Sequence, residues 1–284
     1  MRLYGKVMKH RLKNIRLVVS DIDGTLLTSD NALHAASMDA IRSFNQSQVC
    51  NFTLSTGRAF PLAKPFMDLF GLCAPFVFSG GAVFDPIEGQ VLPMQTMTED
   101  MLAPILQCAK DFGLGLIGHT KSKMMCQMNE TDWQRITAIE WIKGEHVDHA
   151  VRVKDLTEGD HDPLLRVDIF SEEKDLAAIY AQLPQEIIRL HTVLMNRSIE
   201  LTPPGVHKGS ALQVLAARIG IDLSQVMAIG DSMNDMALLQ EAGVAVAMGT
   251  APDALKAIAD IIVPSSDDGG FADALDLLPY FSRS

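Results

Sequence analysis

Short apolar runs rich in β-branched and aromatic residues recur along the chain, and stretches with helical periodicity separate them. The runs are IRLVVSD (15–21), VCNFTLS (49–55), APFVFSG (74–80), QVMAIGD (225–231), GVAVAMG (243–249) and DIIVP (260–264). Strands that are apolar throughout are typical of a parallel sheet covered on both faces. In one intervening stretch Leu212, Leu215, Ala216 and Ile219 recur at helical spacing, and Gly220 follows as a helix stop. The pattern predicts an α/β fold with a Rossmann-like parallel sheet.

The pattern changes between about residues 95 and 188, where mixed polar helices and shorter strands alternate. Candidate strands there are GLGLIGH (113–119), KMMCQM (123–128) and LLRVDIF (164–170), and candidate helices are TEDMLAPILQCAKDFG (98–113) and SEEKDLAAIYAQL (171–183). Just before this stretch, Asp85-Pro86 and Glu88-Gly89 predict a hairpin turn. We therefore expect an inserted α+β domain at 95–188 and a core domain formed by 1–94 and 189–284. The core sheet is expected to resume near SIELTPPG (198–205).

Composition narrows the class of protein. The formal charge of -11 disfavours nucleic-acid binding, which needs a basic surface. No run approaches the roughly 18 to 20 apolar residues of a membrane span. The basic segment 1–14 lacks the apolar stretch of a signal peptide and is interpreted as a partly helical lead-in. The four cysteines have neither CxxC nor metal-finger spacing, so we expect buried free thiols and a cytoplasmic protein. The oligomeric state stays open between a monomer, which we favour, and a dimer.

Polar side chains follow the predicted strands at the positions where an α/β sheet collects its reactive groups, beyond the carboxyl ends of the strands. They are Asp21 and Asp23 after the first strand, Thr56, Gly57 and Arg58 after the second, Lys208 at a helix start, and Asp231, Asn234 and Asp235 after MAIG. Each alone has an ordinary structural reading, such as a turn, a solvated lysine or a helix cap. Four loops at one sheet edge favour a functional site.

The residue types at this edge indicate a metal and a phosphate. A cluster of Asp21, Asp23, Asp231 and Asp235 would repel itself without a cation, and hard oxygen ligands suit Mg²⁺. Phosphate has suitable partners in a threonine hydroxyl, a lysine and the backbone N–H groups beside glycines. The sequence therefore predicts a site for Mg²⁺ and a phosphate group.

Four segments resemble the motifs of the haloacid dehalogenase-like phosphohydrolases. They are DIDGTLL (21–27), LSTGR (54–58), GVHKGSAL (205–212) and GDSMNDMALLQEAGVAVAMGTAPDALKAIAD (230–260). The last segment and the long insertion are similar to the Cof-type subfamily, whose members carry a large type-2 cap. The resemblance implies a core of this family with the insertion as a cap that closes over the site and contacts the leaving group.

The resemblance also implies a role for each matching residue. Asp21 would be the nucleophile that forms an aspartyl-phosphate, and Asp23 the general acid and base. Mg²⁺ would be held by Asp21, Asp231 and the backbone carbonyl of Asp23. The remaining residues would bind the phosphate (Thr56, Gly57, Lys208, Asn234) or support these groups from outside (Asp235, Arg58).

Two positions depart from the family pattern. Gly80-Gly81-Ala82 stands where Asn-Gly-Ala is usual, and Gly249-Thr250-Ala251 where Gly-Asn-Ala is common. Neither belongs to the acid, base or metal set, so we expect altered loop packing or substrate contacts with activity retained. In the insertion, candidate contacts to the leaving group are His119, Lys121, Lys123, Trp133, Arg135 and Arg166, but a solvated or structural role is at least as common for each.

The leading hypothesis is a Mg²⁺-dependent phosphatase acting on small phosphorylated metabolites, either sugar phosphates or phosphorylated cofactors. Two alternatives stay open. A phosphomutase would return the phosphoryl group to a sugar, and a non-catalytic regulator would use the same pocket to bind an anion. Sequence does not separate the first alternative from hydrolysis, whereas the second would require loss of a chemical group, and all of them are present.

Overall fold

The computed structural model describes residues 6–47, 50–138, 149–158 and 162–281; Arg2 of the basic lead-in, Val49 of the second apolar run and Trp141 of the insertion lie outside them. The strands are β1 (Leu17–Ser20), β2 (Asn51–Leu54), β3 (Phe76–Phe78), β4 (Ala82–Asp85), β5 (Gln90–Val91), β6 (Gly115–His119), β7 (Met124–Gln127), β8 (Ala150–Arg152), β9 (Arg166–Phe170), β10 (His191–Leu194), β11 (Ser198–Thr202), β12 (Val226–Gly230), β13 (Val244–Met248) and β14 (Ile261–Val263). The α-helices are α1 (Lys6–Asn14), α2 (Ala35–Ser47), α3 (Phe60–Phe70), α4 (Glu99–Phe112), α5 (Glu130–Ala138), α6 (Leu176–Tyr180), α7 (Gln185–Ile188), α8 (Lys208–Arg218), α9 (Met236–Glu241), α10 (Asp253–Ile258) and α11 (Gly270–Leu275).

The core is a parallel sheet with the strand order β14-β13-β12-β1-β2. Its strands are apolar on both sides because both faces are covered. Val18, Met227 and Val246 belong to the hydrophobic cluster on one face, whereas Val19 and Ala228 belong to the cluster on the other. Burial of two faces explains the near-continuous apolar runs. The predicted α/β parallel-sheet fold is confirmed.

The run at 74–80 forms β3, but β3 pairs antiparallel with β4 instead of joining the parallel sheet as a full strand. A single parallel bridge between Ser55 and Val77 connects it to the end of β2. The chain reverses at Ser79 and Gly80, which both have positive φ, and this turn makes β4 the natural partner of β3. The predicted hairpin turn after Asp85 is present between β4 and β5.

The second sheet has the order β10-β11-β9-β6-β7-β8 and is antiparallel except for the pair β7 and β8. Its residues alternate between two environments, as expected for strands whose faces differ. One face packs against α4, α6 and α7 through a cluster that includes Leu116, Met125, Val167, Ile169 and Leu201. The other face is turned towards the ends of the core strands and lines a cavity there. This antiparallel sheet with helices on one face confirms the predicted α+β character of the insertion.

The expectation that the core sheet resumes near 198–205 is wrong. Residues 198–202 form β11, which hydrogen-bonds to β9 and β10 of the second sheet. The physical reason is the alternation of apolar Ile199 and Leu201 with polar Ser198 and Glu200, which suits a sheet with one apolar face. The second sheet therefore extends to Thr202, beyond the predicted cap boundary at 188.

Residues 6–14 of the basic lead-in form α1, which confirms the predicted helical character of this part. Leu12 of this helix is buried, and the Arg11 guanidinium pairs with Asp260 at 2.7 Å. Among the described residues, no helix combines the length and apolar character needed to cross a bilayer. The four cysteines are free thiols, as predicted, and Cys50, Cys108 and Cys126 are buried. The expectation of burial is wrong for Cys73, which is exposed.

Candidate active site

Three loops converge where β1, β12 and β2 end. Asp21 follows β1, Asp231 follows β12, and Thr56, Gly57 and Arg58 follow β2. The strands β12 and β2 flank β1 on its two sides, with Ser20 opposite both Ile229 and Leu54. Because parallel neighbours end at the same edge, this register brings together loops that are more than two hundred residues apart in sequence.

Lys208 is the first residue of α8 and is almost fully buried. A capping box formed by His207 and Ser210 starts the helix at this point. The Lys208 Nζ lies 2.6 Å from Asp235 Oδ1 and 3.1 Å from Asp21 Oδ2, and it donates to Asn234 Oδ1 at 3.1 Å. Burial alone would lower the pKa of Lys208, but the two carboxylates outweigh it and raise that pKa. Lys208 is therefore a fixed positive charge in the site.

Asp21 and Asp231 are the two acids of the site whose pKa values are raised. Asp21 accepts a hydrogen bond from the backbone N–H of Ile22 at 2.8 Å, and Asp231 accepts one from the Thr25 hydroxyl at 2.8 Å. Burial, followed by repulsion from Asp235, raises the pKa of Asp21 well above its usual range. The same two causes raise the pKa of Asp231 to about 7. One lysine does not neutralise this cluster.

Asp235 holds other groups of the site in place through hydrogen bonds. One of its oxygens accepts from Lys208, and the other accepts from the backbone N–H groups of Asp231 and Ser232 at 3.1 Å each. The side chain is fully buried. The Ser232 hydroxyl also donates to the second oxygen at 3.4 Å. With four donors on its two oxygens, Asp235 orients Lys208 and the loop that carries Asp231.

The donor set fits a hard divalent cation. Carboxylate oxygens of Asp21, Asp231 and Asp235 lie within 4.8 Å of one another. Asp235 already accepts four hydrogen bonds, so Asp21 and Asp231 have the better ligand oxygens. Gly24 has a φ of 75° and an added Cβ there would overlap the Asp231 carboxylate, so only glycine allows this approach. Oxygen-only ligands, with acids that repel each other, suit Mg²⁺.

The side chain of Asp23 lies outside this group of three acids and pairs with Arg58. The Arg58 Nε donates to Asp23 Oδ2 at 2.8 Å and its Nη2 to Asp23 Oδ1 at 2.5 Å. Arg58 is buried and its guanidinium lies 4.9 Å from the centre of the Phe66 ring, whereas the Asp23 side chain is half exposed. Asp23 is thus held at the mouth of the site, with its carboxylate directed by a rigid two-point contact.

The remaining predicted residues lie in the same region. Thr56 is fully buried and its hydroxyl accepts from the Arg58 backbone N–H at 3.1 Å, while Gly57 lines the cavity. Asn234 accepts from Lys208 and from the Ser232 hydroxyl, at 3.1 and 2.8 Å. The structure therefore brings together all nine of the residues that the sequence singled out.

A cavity of about 520 Å³ separates these loops from the second sheet. Residues of the loops after β1, β2 and β12 form one wall of the cavity, and residues of the second sheet form the other. The sheet side is lined by Ile117, His119, Met124, Cys126, Arg166, Asp168, Phe170, Ser198 and Glu200, together with Ile136 of α5 and residues 195–197 of the hairpin between β10 and β11. A substrate bound at Asp21 would have its leaving group in this space.

A buried charged network crosses the cavity, and sequence reasoning found only part of it. The guanidinium of Arg166 pairs with Asp168 at 2.5 Å and Glu200 at 2.7 Å, and its Nη1 donates to the Gly57 carbonyl at 3.1 Å. His119 Nε2 lies 3.2 Å from Asp168 Oδ2. His119 and Arg166 were candidate contacts, whereas Asp168 and Glu200 were missed. Charged residues at alternate positions of otherwise apolar strands were the available signal.

The charges of this network stabilise one another. Burial would raise the pKa of Asp168, but Arg166 and His119 outweigh it and hold this pKa at about 2. Burial raises the pKa of Glu200, which Arg166 only partly offsets. Burial would likewise lower the pKa of Arg166, but the two acids raise it. Of the other described candidates, Lys121, Lys123, Trp133 and Arg135 do not line the cavity; Arg135 pairs with Glu173 at 2.8 Å on the surface.

The first departure from the family pattern has a structural counterpart at the cavity. Gly80 has a φ of 74°, and a Cβ at this position would lie 3.4 Å from Arg166 Nη1. The missing side chain leaves room for the guanidinium beside Gly57. The second departure is Thr250, which lies exposed in the turn after β13.

Comparison with known proteins agrees with this fold and site. The model of the haloacid dehalogenase-like hydrolase family matches residues 18–275, so the chain belongs to that family and is an enzyme of the hydrolase class. The resemblance inferred from the four motifs is confirmed.

Named relatives can be aligned with most of the chain. An HMP-PP phosphatase of Enterobacter sp. is 27% identical over 83% of this chain and 85% of its own length. A 5-amino-6-(5-phospho-D-ribitylamino)uracil phosphatase of Bacillus subtilis is 25% identical over 92% of this chain and 95% of its own. The structure of a sugar phosphatase of haloacid dehalogenase subclass IIB superposes with a TM-score of 0.80, covers 94% of this chain and all of its own, and is 16% identical, which indicates a shared fold.

Proposed function

We propose that this protein is a Mg²⁺-dependent phosphatase that hydrolyses small phosphomonoesters through an aspartyl-phosphate on Asp21. The observation that carries the proposal is the position of the Asp21 carboxylate, buried at the end of β1 with Lys208 at 3.1 Å and Asp231 in the same acidic cluster. A buried carboxylate beside a fixed cation is a suitable nucleophile for a phosphoryl group, whose negative charge the lysine also attracts.

The first step forms a bond between an Asp21 oxygen and phosphorus while the bond to the leaving oxygen breaks. Lys208 neutralises charge on the phosphoryl oxygens, and Asn234 holds the Lys208 ammonium group in position. The backbone at Gly57 approaches the same space, where the absence of a side chain permits close contact with an anion. These groups position the substrate, which is the main requirement for phosphoryl transfer.

Asp23 acts as the general acid and the general base of the reaction. As general acid it donates a proton to the leaving oxygen, and in the second step it accepts a proton from the water that attacks the aspartyl-phosphate. Both Asp23 oxygens accept hydrogen bonds from Arg58, so one of these bonds is lost when Asp23 carries a proton and the other keeps the acid oriented. The half-exposed position of Asp23 at the mouth of the cavity gives it the required freedom.

Asp21, Asp231 and the backbone carbonyl of Asp23 would hold Mg²⁺. The bound ion would neutralise charge on the phosphoryl group and keep the Asp21 carboxylate ionised. The raised pKa values of Asp21 and Asp231 support this assignment, because both acids favour a second cation beside Lys208.

The substrate is a small phosphorylated metabolite. The cavity volume of about 520 Å³ is within the range of roughly 300 to 1,000 Å³ that is usual for small-molecule sites. The names of the Enterobacter and Bacillus relatives support a low-molecular-weight phosphate ester as substrate. The domain arrangement we propose is a core that supplies the chemistry and a cap, formed by the second sheet and its helices, that covers the leaving group.

The test is release of inorganic phosphate from p-nitrophenyl phosphate and a panel of sugar and cofactor phosphates with Mg²⁺ present. Asp21→Asn should reduce turnover by at least about 10³-fold, since the nucleophile is lost. The matched control is Asp39→Asn on the exposed surface of α2, which should retain full activity. Full activity in Asp21→Asn would refute the mechanism.

The same assay separates the alternatives. A phosphomutase would convert sugar phosphate isomers without releasing phosphate, so the mass balance between ester lost and phosphate gained distinguishes it from a phosphatase. A non-catalytic regulator would bind phosphate in calorimetry and release none from any ester. The presence of Asp21, Asp23, Lys208 and Asp231 at one site argues against the non-catalytic regulator. The similarity of segment 230–260 to the Cof-type subfamily favours hydrolysis over the mutase. We expect a monomer, which the elution volume in size-exclusion chromatography would test.

A further inference from the structure

The loop at residues 56–58, which follows β2, is held by its three consecutive carbonyl groups. The carbonyls of Thr56 and Arg58 accept hydrogen bonds from backbone N–H groups of the turn between β3 and β4, at 3.1 and 2.8 Å. The carbonyl between them, that of Gly57, accepts from Arg166 Nη1 at 3.1 Å. The core therefore fixes the two ends of this loop, and a side chain of the second sheet fixes its middle.

The peptide between Gly57 and Arg58 connects Arg166 to two groups of the proposed mechanism. Its carbonyl accepts from Arg166, and its N–H donates to the Thr56 hydroxyl oxygen at 3.1 Å. Because a peptide is planar, a contact that fixes the carbonyl also fixes the direction of the N–H. The N–H occupies a lone pair of the hydroxyl oxygen, so the hydroxyl proton turns away from it and is available to a phosphoryl oxygen. The Arg58 side chain leaves the same backbone and binds Asp23.

The guanidinium of Arg166 is committed to contacts within the protein. Its Nε and Nη2 bond to Asp168 at 2.5 and 2.8 Å, and Nη2 also pairs with Glu200 at 2.7 Å. Counting the Nη1 bond to Gly57, four of its five N–H donors are engaged. The guanidinium is therefore placed to orient the loop, whereas the sequence made Arg166 a candidate contact to the leaving group.

Two glycines of the core make room for this guanidinium. A Cβ at Gly57 would lie 3.0 Å from Arg166 Nη1, and a Cβ at Gly80 would lie 3.4 Å from the same atom. Gly80 stands where the family usually has asparagine. The core thus lacks a side chain at the point where the second sheet supplies Arg166.

The two acids that hold this guanidinium are themselves tied to the core. His119 Nε2 lies 3.2 Å from Asp168 Oδ2, and its Nδ1 lies 3.3 Å from the Ser79 hydroxyl oxygen. Asn234 Nδ2 donates to Glu200 Oε2 at 3.5 Å. Contacts on both sides of the cavity therefore set the direction of the guanidinium, as a group that orients others requires.

We propose that Arg166 is a positioning residue for phosphoryl transfer. It reaches across the cavity from the second sheet and fixes the peptide between Gly57 and Arg58. This peptide orients the Thr56 hydroxyl for the phosphoryl group and the Arg58 side chain for Asp23. The inference rests on the proposed phosphatase function and deepens it: the chemistry of the core depends on a residue of the second sheet, whatever the leaving group.

Steady-state kinetics of Arg166→Ala on two esters test the proposal. The leaving group of p-nitrophenyl phosphate is large and that of acetyl phosphate is small. We expect kcat to fall about 10- to 100-fold on both esters with KM within about threefold, because small displacements of catalytic groups have effects of this size. The matched control is Arg189→Ala, at the exposed end of α7, which should behave as the parent protein. A loss confined to p-nitrophenyl phosphate would show that Arg166 contacts the leaving group and would overturn the proposal.

Two further measurements separate positioning from loss of folded protein, since Arg166→Ala leaves two acids without their guanidinium. Arg166→Lys keeps a positive charge beside the acids but loses the fork that also reaches the Gly57 carbonyl, so its kcat should fall by at least about threefold. Ethylguanidinium added to Arg166→Ala should restore part of the lost kcat, whereas ethylammonium at the same concentration should not. A parent-like kcat in Arg166→Lys would contradict the proposal, and so would rescue by neither compound. If Arg166→Ala does not fold, the result with Arg166→Lys decides.

Phosphate release by the parent protein separates this inference from the function on which it rests. Release by the parent together with unchanged kcat in Arg166→Ala would refute the positioning role alone. Absence of release by the parent from both esters and from the sugar and cofactor phosphates would refute the phosphatase function, and the inference with it.

Discussion

The ammonium group of Lys208 lies 3.1 Å from a carboxylate oxygen of Asp21, and both side chains are buried. Asp235 and Asp231 lie in the same cluster, so one lysine faces three acids. The site therefore has an excess of negative charge before any substrate enters. This excess favours a divalent cation, and it makes each charged partner necessary for the stability of the others.

Lys208→Met removes the cation that pairs with the buried carboxylates of Asp21 and Asp235. The free energy of unfolding should fall by about 3 to 5 kcal/mol in the absence of Mg²⁺, as for other broken buried pairs. Urea denaturation measures this free energy, and Lys110→Met, at an exposed position of α4, is the matched control. Adding Asp235→Asn to the Lys208→Met protein should restore part of the loss. A loss below about 1 kcal/mol would show that the acids do not depend on Lys208.

Arg58→Lys keeps the positive charge but removes the two-point contact to Asp23. The orientation of the acid should loosen, and kcat should fall about tenfold with a smaller change in KM. Steady-state kinetics on the best ester measure the two constants. Arg42→Lys on the surface of α2 is the control and should behave as the parent protein. Unchanged kcat in Arg58→Lys would show that Asp23 is positioned without Arg58.

Burial and the charge of Asp235 raise the pKa of Asp231 to about 7. Mg²⁺ binding should therefore weaken as the pH falls below this value. Protons and the cation compete for this carboxylate, so binding releases protons. Folded Asp231 also holds its proton well above the ordinary value of 3.8, so its contribution to metal-free stability falls as the pH rises from about 4 to 7. The increase in Tm caused by Mg²⁺ should thus be larger at pH 8 than at pH 6, and EDTA should abolish it. Asp231→Asn should remove this pH dependence; an equal Mg²⁺ effect at both pH values in the parent protein would contradict the assignment.

His191 should make the protein less stable in acid. Burial, followed by the charge of His207, lowers the pKa of His191 to about 4, and the two rings lie 4.9 Å apart. Unfolded histidine binds a proton near pH 6.5, so stability is lost as the pH falls from about 6.5 towards 4. Partial exposure limits the effect to about 1 kcal/mol at pH 5. His191→Phe should reduce this loss in denaturant titrations, whereas His10→Phe on exposed α1 should leave it unchanged. An identical loss in parent and His191→Phe would exclude His191 as the source.

Gly80→Asn restores the residue that is usual in the family and tests why this chain differs. Asparagine tolerates positive φ, but its Cβ would lie 3.4 Å from Arg166 Nη1 and displace the hydrogen bond to Gly57. The free energy of unfolding should fall by about 1 to 2 kcal/mol. Gly89→Asn is the control, because Gly89 has a φ of 65° and an added Cβ there meets no atom within 4 Å. Equal effects of the two substitutions would point to backbone conformation as the cause, not to Arg166.

Much of the fold could be predicted because its signals are local. The apolar runs at β1, β12 and β13 reflect burial of both faces of each strand, and the helix between β11 and β12 follows from spacing alone. The polar residues at strand ends were also informative, since parallel strands deliver their ends to one edge. The placement of Asp21 beside Asp231 is a direct consequence of that geometry, whereas Lys208 reaches the same edge as the first residue of α8.

Strand partners required the tertiary structure. The run at 74–80 looks like a core strand, yet a turn at Ser79 and Gly80 pairs β3 with β4. Residues 198–202 were assigned to the core sheet, although alternation of Ile199 and Leu201 with polar neighbours suits the one-sided second sheet. A strand's own sequence reports how many of its faces are buried, but which neighbour buries them depends on long-range register.

By itself, the sequence determined the α/β class and the family. It also determined that polar residues converge at the carboxyl ends of the core strands, and which residues these are. Only the tertiary structure decided the pairing of Asp23 with Arg58 and the network of Arg166, Asp168 and Glu200. These contacts join side chains that are distant in sequence, as in the hydrogen bond from Arg166 to Gly57 across 109 positions. The physical reason is that a buried charge needs a partner, and no local pattern specifies which distant group the folded chain places beside it.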